Sequence, residues 1–302
     1  MDGERALRLR RRRPSRGRLA LRRVLAALVL LGVLGVAAWV GAAVLQDDEP
    51  PPPATAGPPP LEVLRIVFPE GYTVKQMGER VDEVRRIAIE KRKVRPRLTA
   101  KGYLAAARAL VAPKPFRTHA PRGEPEGFLF PALYEFTKLT TAKELVAAQL
   151  AAFERNWKRL DLSYARSRNL TPYDVLIIAS MVEKEAVVPK ERPLVAAVIY
   201  NRLAAGMPLG IDATIRYGLD VPGTEALRVS QLESDNPYNT RKRTGLPPTP
   251  IANPGLASLK AAAQPARVDY LYFVRKPDRR HHYFTASEAE FYEKACEYGF
   301  GC

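Results

Sequence analysis

Two cysteines, three histidines and two tryptophans are all that 302 residues hold of those types. So few cysteines exclude a disulfide-rich scaffold, whose stability rests on several bridges rather than on a core. Cys296, Cys302, His119, His281 and His282 match no metal-ligand spacing, so no metal site is expected. Acidic residues are also scarce, 32 against 48 Lys and Arg, a net charge of +16. A nucleic-acid binder would accompany that excess with a recognisable RNA- or DNA-binding signature, and none is present. Internal repeats are absent as well, which removes solenoid architectures.

What is present is unevenly placed. Residues 1–23 hold ten Arg against Asp2 and Glu4, half of the whole excess. From Val24 to Leu45, 22 residues carry no charge. At about 1.5 Å rise per residue they cross a hydrocarbon core of roughly 30 Å. Asp47, Asp48 and Glu49 follow, so the Lys/Arg asymmetry places the arm in the cytoplasm and the rest of the chain outside. A cleaved signal peptide, with Gly41, Ala42 and Ala43 near the cut, is the competing reading; signal cores run only about 7 to 15 residues.

Five parts are expected: the arm 1–23, the span 24–45, a Pro-rich linker 46–60, a small subdomain 61–112 and a main domain 113–302. With 46% apolar and 26% charged residues the last two are globular, and their mixed signals make the fold class α+β. Val63–Phe68 alternates as a strand. Thr73 and Gln76 form a capping box before a helix with Val74, Met77, Val81, Val84 and Ala88 inward, and a second helix follows Thr99. Residues 61–112 carry 12 Lys/Arg against 6 Asp/Glu, a basic face suited to anionic lipid or wall polymer, or simply a solvated one.

In the main domain, Gly127–Pro131 and Tyr134–Phe136 make an aromatic connection, and Thr141 with Glu144 caps a helix carrying Val146, Leu150, Phe153 and Trp157 into the core. Thr171-Pro172 starts a helix, VLIIASMVEKEA, that is apolar on nearly all sides until Glu183 and so belongs in the middle of the domain. A helix over Val195–Ala205 stops at Gly206. Residues 206–255, rich in Gly, Pro, Asn, Asp and Thr, read as binding or catalytic loops. Tyr270–Val274 and His281–Phe284 read as strands, with Thr285 and Glu288 capping a last helix. The short Glu-Tyr-Gly-Phe-Gly segment between Cys296 and Cys302 permits a disulfide and equally two free thiols.

A Glu inside an apolar helix is where a protonated acid is expected, because burial disfavours the charged form. Glu183 and Glu185 lie about 200° apart around the axis, so they cannot jointly act on one bond. Glu185 extends the Ile178, Met181 and Val182 stripe while Glu183 follows Leu176, Ala179 and Ser180. Periodicity leans to Glu185 and leaves both open.

The runs EGFLFPALYEF from Glu126, MVEKEA from Met181, YNRLAAGMPLGIDATIRYGL from Tyr200, NPYNTRKRTGLPPTPIANPGLASLKAAAQP from Asn236 and YLYFV from Tyr270 resemble, in order, the YceG-type (MltG-like) endolytic murein transglycosylases. The resemblance implies an enzyme of the bacterial inner membrane, with a small LysM-like membrane-proximal subdomain, shorter here than is typical of the family, and a mixed α+β catalytic domain outside. It implies peptidoglycan glycan strands as substrate, peptidoglycan synthases (penicillin-binding proteins) as partners, and no cofactor. The family's catalytic Glu falls on Glu185, which makes Glu183 a supporting residue. Tyr200, Asn201, Asp212, Tyr238, Asn239 and Thr240 stand in the matching runs as candidates for orienting sugar hydroxyls. The chain has Asp212-Ala213-Thr214 where the family commonly has Asp-Pro-Thr, and Gly210 where a polar residue is usual.

Two other readings follow from the same residues. One is a non-catalytic wall-binding scaffold that works through its anchor and basic subdomain. The other is a two-carboxylate hydrolase in which Asp212 or Asp235 activates water.

Overall fold

The computed structural model describes residues 16–44 and 61–300, which fall into two compact units, Met1–Pro60 and Leu61–Cys302. In the first unit, helix α1 (Arg16–Val44) contains the stretch Ala20–Ala43, long and apolar enough to cross a membrane. It starts upstream of the expected span because Arg, Leu and Ala are good helix formers and carry the helix back into the arm. The rest of the arm, the expected linker 46–60 and Cys302 lie outside the described residues.

The second unit is α+β, with two separate two-stranded antiparallel sheets. Strand β1 (Leu64–Val67) alternates buried and exposed, and helix α2 (Val74–Arg92) begins at the expected Thr73–Gln76 capping box. Helix α3 (Ala100–Arg108) is capped by the Thr99 side chain. The aromatic connection is in part a strand, β2 (Leu133–Phe136), which pairs with β1 from Leu64 opposite Phe136 to Val67 opposite Leu133. A lone β1 would leave its backbone groups unpaired, so a partner from beyond residue 112 completes it. Leu129, Phe136, Leu145 and Val146 close the same core that Ile66, Met77, Val81 and Tyr103 begin.

Helix α4 (Ala142–Trp157) starts at the Thr141–Glu144 capping box and buries Val146, Phe153 and Trp157, with Leu150 partly buried beside them. A short helix α5 (Ser163–Ser167) leads to α6 (Pro172–Glu185), whose residues Tyr173 and Val175 to Val182 are all buried. Helix α7 (Arg192–Ala204) and its left-handed stop at Gly206 follow. The region expected to be all loop contains two short helices, α8 (Asp212–Gly218) and α9 (Val229–Leu232). Helix α10 (Leu256–Ala263) packs along α6, and both touch α7. The pair β3 (Tyr272–Arg275) and β4 (His282–Thr285) is followed by α11 (Glu288–Glu297). The cap of α11 is Ser287 rather than Thr285, which stays in β4 and donates its hydroxyl to Glu290.

Candidate active site

Helix α6 runs through the centre of the core and ends at Glu185, where the chain leaves the apolar interior at the floor of an open cleft of 1690 Å³. The cleft walls come from the start of α2, the 207–218 segment, Tyr238, Arg241, and the β3–β4–α11 region. Its size exceeds the few hundred to about 1,000 Å³ usual for a drug-sized ligand and suits an extended polymer. The Glu185 side chain is only 14% exposed, and the Arg275 Nη2 atom lies 4.0 Å from its Oε2. Burial pushes its carboxyl up to about 7; Arg275, Lys184 and Arg241 pull it down, and Asp212 pushes with burial. A carboxyl held there exists in both ionisation states near neutral pH, which is what one group needs in order to give and then take a proton.

Glu183 points the other way. Its Oε2 accepts the Gly255 N–H at 2.9 Å, at the N-terminus of α10, and its Oε1 stands 3.4 Å from Arg192 Nη2. Arg192 Nε also donates to Ser258 Oγ at 3.0 Å. Glu183 thus ties α6 to α10, and the roughly 200° separation on the helix is realised as one carboxyl in the packing and one in the cleft.

Of the six candidate sugar-orienting residues, Asp212 and Tyr238 line the cleft. Asp212 opens α8 and its Oδ1 accepts from Arg241 Nε at 2.7 Å. The Tyr238 hydroxyl meets Thr249 Oγ1 at 2.8 Å, and its ring lies 5.1 Å from that of Tyr217. The other four do not reach the cleft, because their polar atoms satisfy buried groups elsewhere. Tyr200 donates to the Ala262 carbonyl at 2.8 Å. Asn201 Nδ2 donates to the Val268 and Tyr270 carbonyls, each at 2.9 Å. Asn239 Nδ2 donates to the Leu232 and Ser234 carbonyls. Thr240 Oγ1 accepts the Ile211 N–H at 3.0 Å and so fixes the backbone just before Asp212. Asp235, the other carboxylate considered for water activation, is 89% exposed, bound to Lys242, and outside the cleft lining.

The departures near Asp212 fit this geometry. Gly210 sits at φ +67°, a left-handed conformation that glycine adopts without strain. Ala213 lies in the first turn of α8, where a helix accepts either proline or alanine.

Arg275 and Glu126 are among the cleft residues that the sequence reading did not single out, as are Arg241 and Tyr217. Arg275, the last residue of β3, follows the YLYFV run with nothing to mark its neighbour. Glu126 is buried: both carboxylate oxygens accept the Val74 N–H at 3.1 Å, Oε1 accepts Asn253 Nδ2 at 2.7 Å, and Oε2 accepts the Tyr217 hydroxyl at 3.3 Å. Burial pushes its carboxyl up to about 8 against those donors. Its place at the head of the EGFLFP run was the only signal for it. Among the described residues no group of three or more His, Cys, Asp and Glu could hold a metal ion.

The model of the YceG-like family matches residues 54–297. The chain belongs to the YceG-like family. An endolytic murein transglycosylase of Streptococcus pneumoniae is 33% identical over 229 residues, 69% of this chain and 40% of that protein. One of Bacillus subtilis is 38% identical over 151 residues, 50% of this chain and 42% of its own length. The YceG-like chain thus spans well under half of these relatives. A crystal structure of a putative YceG-like protein from Listeria monocytogenes superposes with a TM-score of 0.61 at 29% identity, covering 76% of this chain and 75% of that one.

Proposed function

We propose that this YceG-like chain is a membrane-anchored endolytic lytic transglycosylase, a lyase that cuts peptidoglycan glycan strands with Glu185 as both general acid and general base. The single observation that carries this is the placement of Glu185: a buried carboxyl at the end of a central helix, open to a polymer-sized cleft and held near neutral pH. The names of the relatives support the substrate class.

In this mechanism neutral Glu185 gives its proton to the GlcNAc oxygen as the bond from that oxygen to MurNAc C1 breaks. The MurNAc C6 hydroxyl then bonds to C1 and releases its proton to the Glu185 carboxylate, which restores the starting acid. No water is consumed, and the product is a 1,6-anhydro-MurNAc end. The intramolecular attack draws on proximity, and the positioned acid contributes about 10² to 10⁴ in rate. Asp212, beside Glu185 but paired with Arg241, orients Arg241 at the cleft rather than activating water. Tyr217 and Tyr238 offer aromatic faces to sugar rings.

The anchor is α1, with the Arg-rich arm cytoplasmic and the second unit outside the bacterial inner membrane. The family resemblance gives residues 61–112, completed in this fold by β2 and the start of α4, a LysM-like glycan-holding role, and the enzyme ends strand elongation next to penicillin-binding proteins. Mass spectrometry of fragments released by the purified full chain in detergent tests the reading. Anhydro-ended products, one water lighter than hydrolysed ones and absent with Glu185→Gln, are expected. Reducing ends would point to a hydrolase, and strand binding without cleavage to a scaffold.

A further inference from the structure

The cleft is rich in cations, and apart from Arg108 at its edge and Arg275 they are occupied. Arg241 binds Asp212 Oδ1 through Nε at 2.7 Å, and Arg202 reaches the Leu271, Pro208 and Leu209 carbonyls. Arg216 Nη1 donates to the Pro222 and Glu225 carbonyls, and Lys184 Nζ to the Gly71 carbonyl at 3.3 Å. Arg275 differs: its side chain is 41% exposed, its nearest carboxylate oxygen is that of Glu185 at 4.0 Å, and among the described residues its guanidinium makes no hydrogen bond. A guanidinium has five N–H donors and closes on carboxylates at about 2.7 to 2.9 Å, so this contact is a loose, exchangeable one.

We propose that Arg275 is a substrate-sensing positioning residue, which partners Glu185 in the free enzyme and moves to a carboxylate carried by the MurNAc residue when the strand binds, leaving Glu185 uncharged for its acid step. The inference rests on the reading of Glu185 as acid and base. Four charged groups act on Glu185: Lys184 on its own helix, Asp212 on α8, Arg241 from the segment after α9, and Arg275 on β3. Of these, only Arg275 lacks an anchoring hydrogen bond, so it alone is free to change partner. His282, opposite Arg275 on β4, is fixed by Glu191, which accepts from both its backbone and its ring. The strand face that presents Arg275 is therefore held by the β3–β4 ladder and the His282–Glu191 bonds, while its guanidinium makes no hydrogen bond among the described residues. The carboxylate has two sources, the free lactyl group of a peptide-free MurNAc or the attached peptide of a substituted one.

The test uses the full chain in detergent, as wild type, Arg275→Gln and Arg275→Lys, with pH profiles of kcat/KM and kcat. Substrates are peptide-free glycan strands, the same strands with their lactyl carboxylates amidated, and peptide-bearing strands. The limb of kcat/KM reports the free enzyme and that of kcat the complex. In the wild type, on a carboxylate-bearing strand, the alkaline limb of kcat is expected at higher pH than that of kcat/KM. The two limbs coincide on amidated strands. Separation on peptide-free strands assigns the lactyl carboxylate, and separation only on peptide-bearing strands assigns the peptide.

In Arg275→Gln the limbs coincide on every substrate, with the kcat/KM limb moved to higher pH than in the wild type. In the inactive Glu185→Gln background the same change weakens binding of the carboxylate strand by about tenfold and leaves the amidated strand unchanged. Arg275→Lys keeps the charge and restores part of the separation. Coincident limbs in the wild type on both carboxylate-bearing strands, or an unaltered profile in Arg275→Gln, would overturn the proposal. Full cleavage by Glu185→Gln, or reducing ends, would instead overturn the functional reading on which it rests.

Discussion

At the scale of single residues, two buried carboxyls answer to burial in opposite roles. Glu185 opens to the cleft with its carboxyl raised to about 7, so the acid form exists below that pH and is lost above it. The expected profile of kcat/KM therefore declines on the alkaline side through about pH 7. On the proposed mechanism Glu185→Gln, which keeps the shape and removes the titratable proton, is expected to lower kcat by about 10² to 10⁴ in a turnover assay. Glu126 is packed between Val74, Asn253 and Tyr217 and is raised from 4.5 to about 8. Its native state binds the proton more tightly than the unfolded chain, so its effect on stability is greatest below pH 4.5. That contribution is lost as the pH rises to about 8. Thermal melts of wild type between those values should show a decline that Glu126→Gln flattens.

At the scale of elements, α6 positions the site, and its two ends are defended differently. The N-terminus is held by Thr171, whose hydroxyl accepts the Asp174 N–H while Asp174 Oδ2 accepts the Thr171 N–H at 2.8 Å. Thr171→Ala is expected to cost about 0.5 to 2 kcal/mol, read by urea denaturation. The flank of α6 is set by Gly127, at φ +88°, where an added Cβ would stand 2.8 Å from Pro250 Cγ and 3.1 Å from Leu176 Cδ2. Gly127→Ala combines backbone strain with overpacking, each worth about 1 to 3 kcal/mol, and should lower the urea midpoint more than the cap variant does. Capping boxes and apolar stripes are local, so α2, α4 and α6 were legible in the sequence. Strand β2 was not, because Leu133–Phe136 becomes a strand only by pairing with β1, about seventy residues earlier in the chain.

At the scale of the molecule, the division into Met1–Pro60 and Leu61–Cys302 predicts that the second unit folds by itself. On the proposed function, a chain starting at residue 61 should unfold cooperatively and keep cleavage in solution, while losing the membrane fraction expected of the full chain from its apolar span Ala20–Ala43. Fractionation of cells expressing each form, followed by a product assay, checks both halves. Within the second unit the small core is closed by Leu129, Phe136, Leu145 and Val146. Variants at these positions should therefore loosen β1 and α2 together rather than the distal end of α6.

What the sequence determined by itself is whatever depends on neighbours in the chain: the apolar span, the caps of α2, α4 and α6, the central apolar helix and the presence of a Glu at its end. Helical periodicity separated Glu183 from Glu185 and leaned toward the second without deciding between them. Tertiary structure decided what depends on approach across long separations. It turned Glu183 onto Gly255 and Arg192, and committed Tyr200, Asn201 and Thr240 to backbone groups remote in the chain, while Asn239 closes the nearby turn at Leu232 and Ser234. It also carried Arg275 to within 4.0 Å of Glu185. A side chain's own pattern records the face it occupies, while its partner there is set by packing of segments that share no local signal.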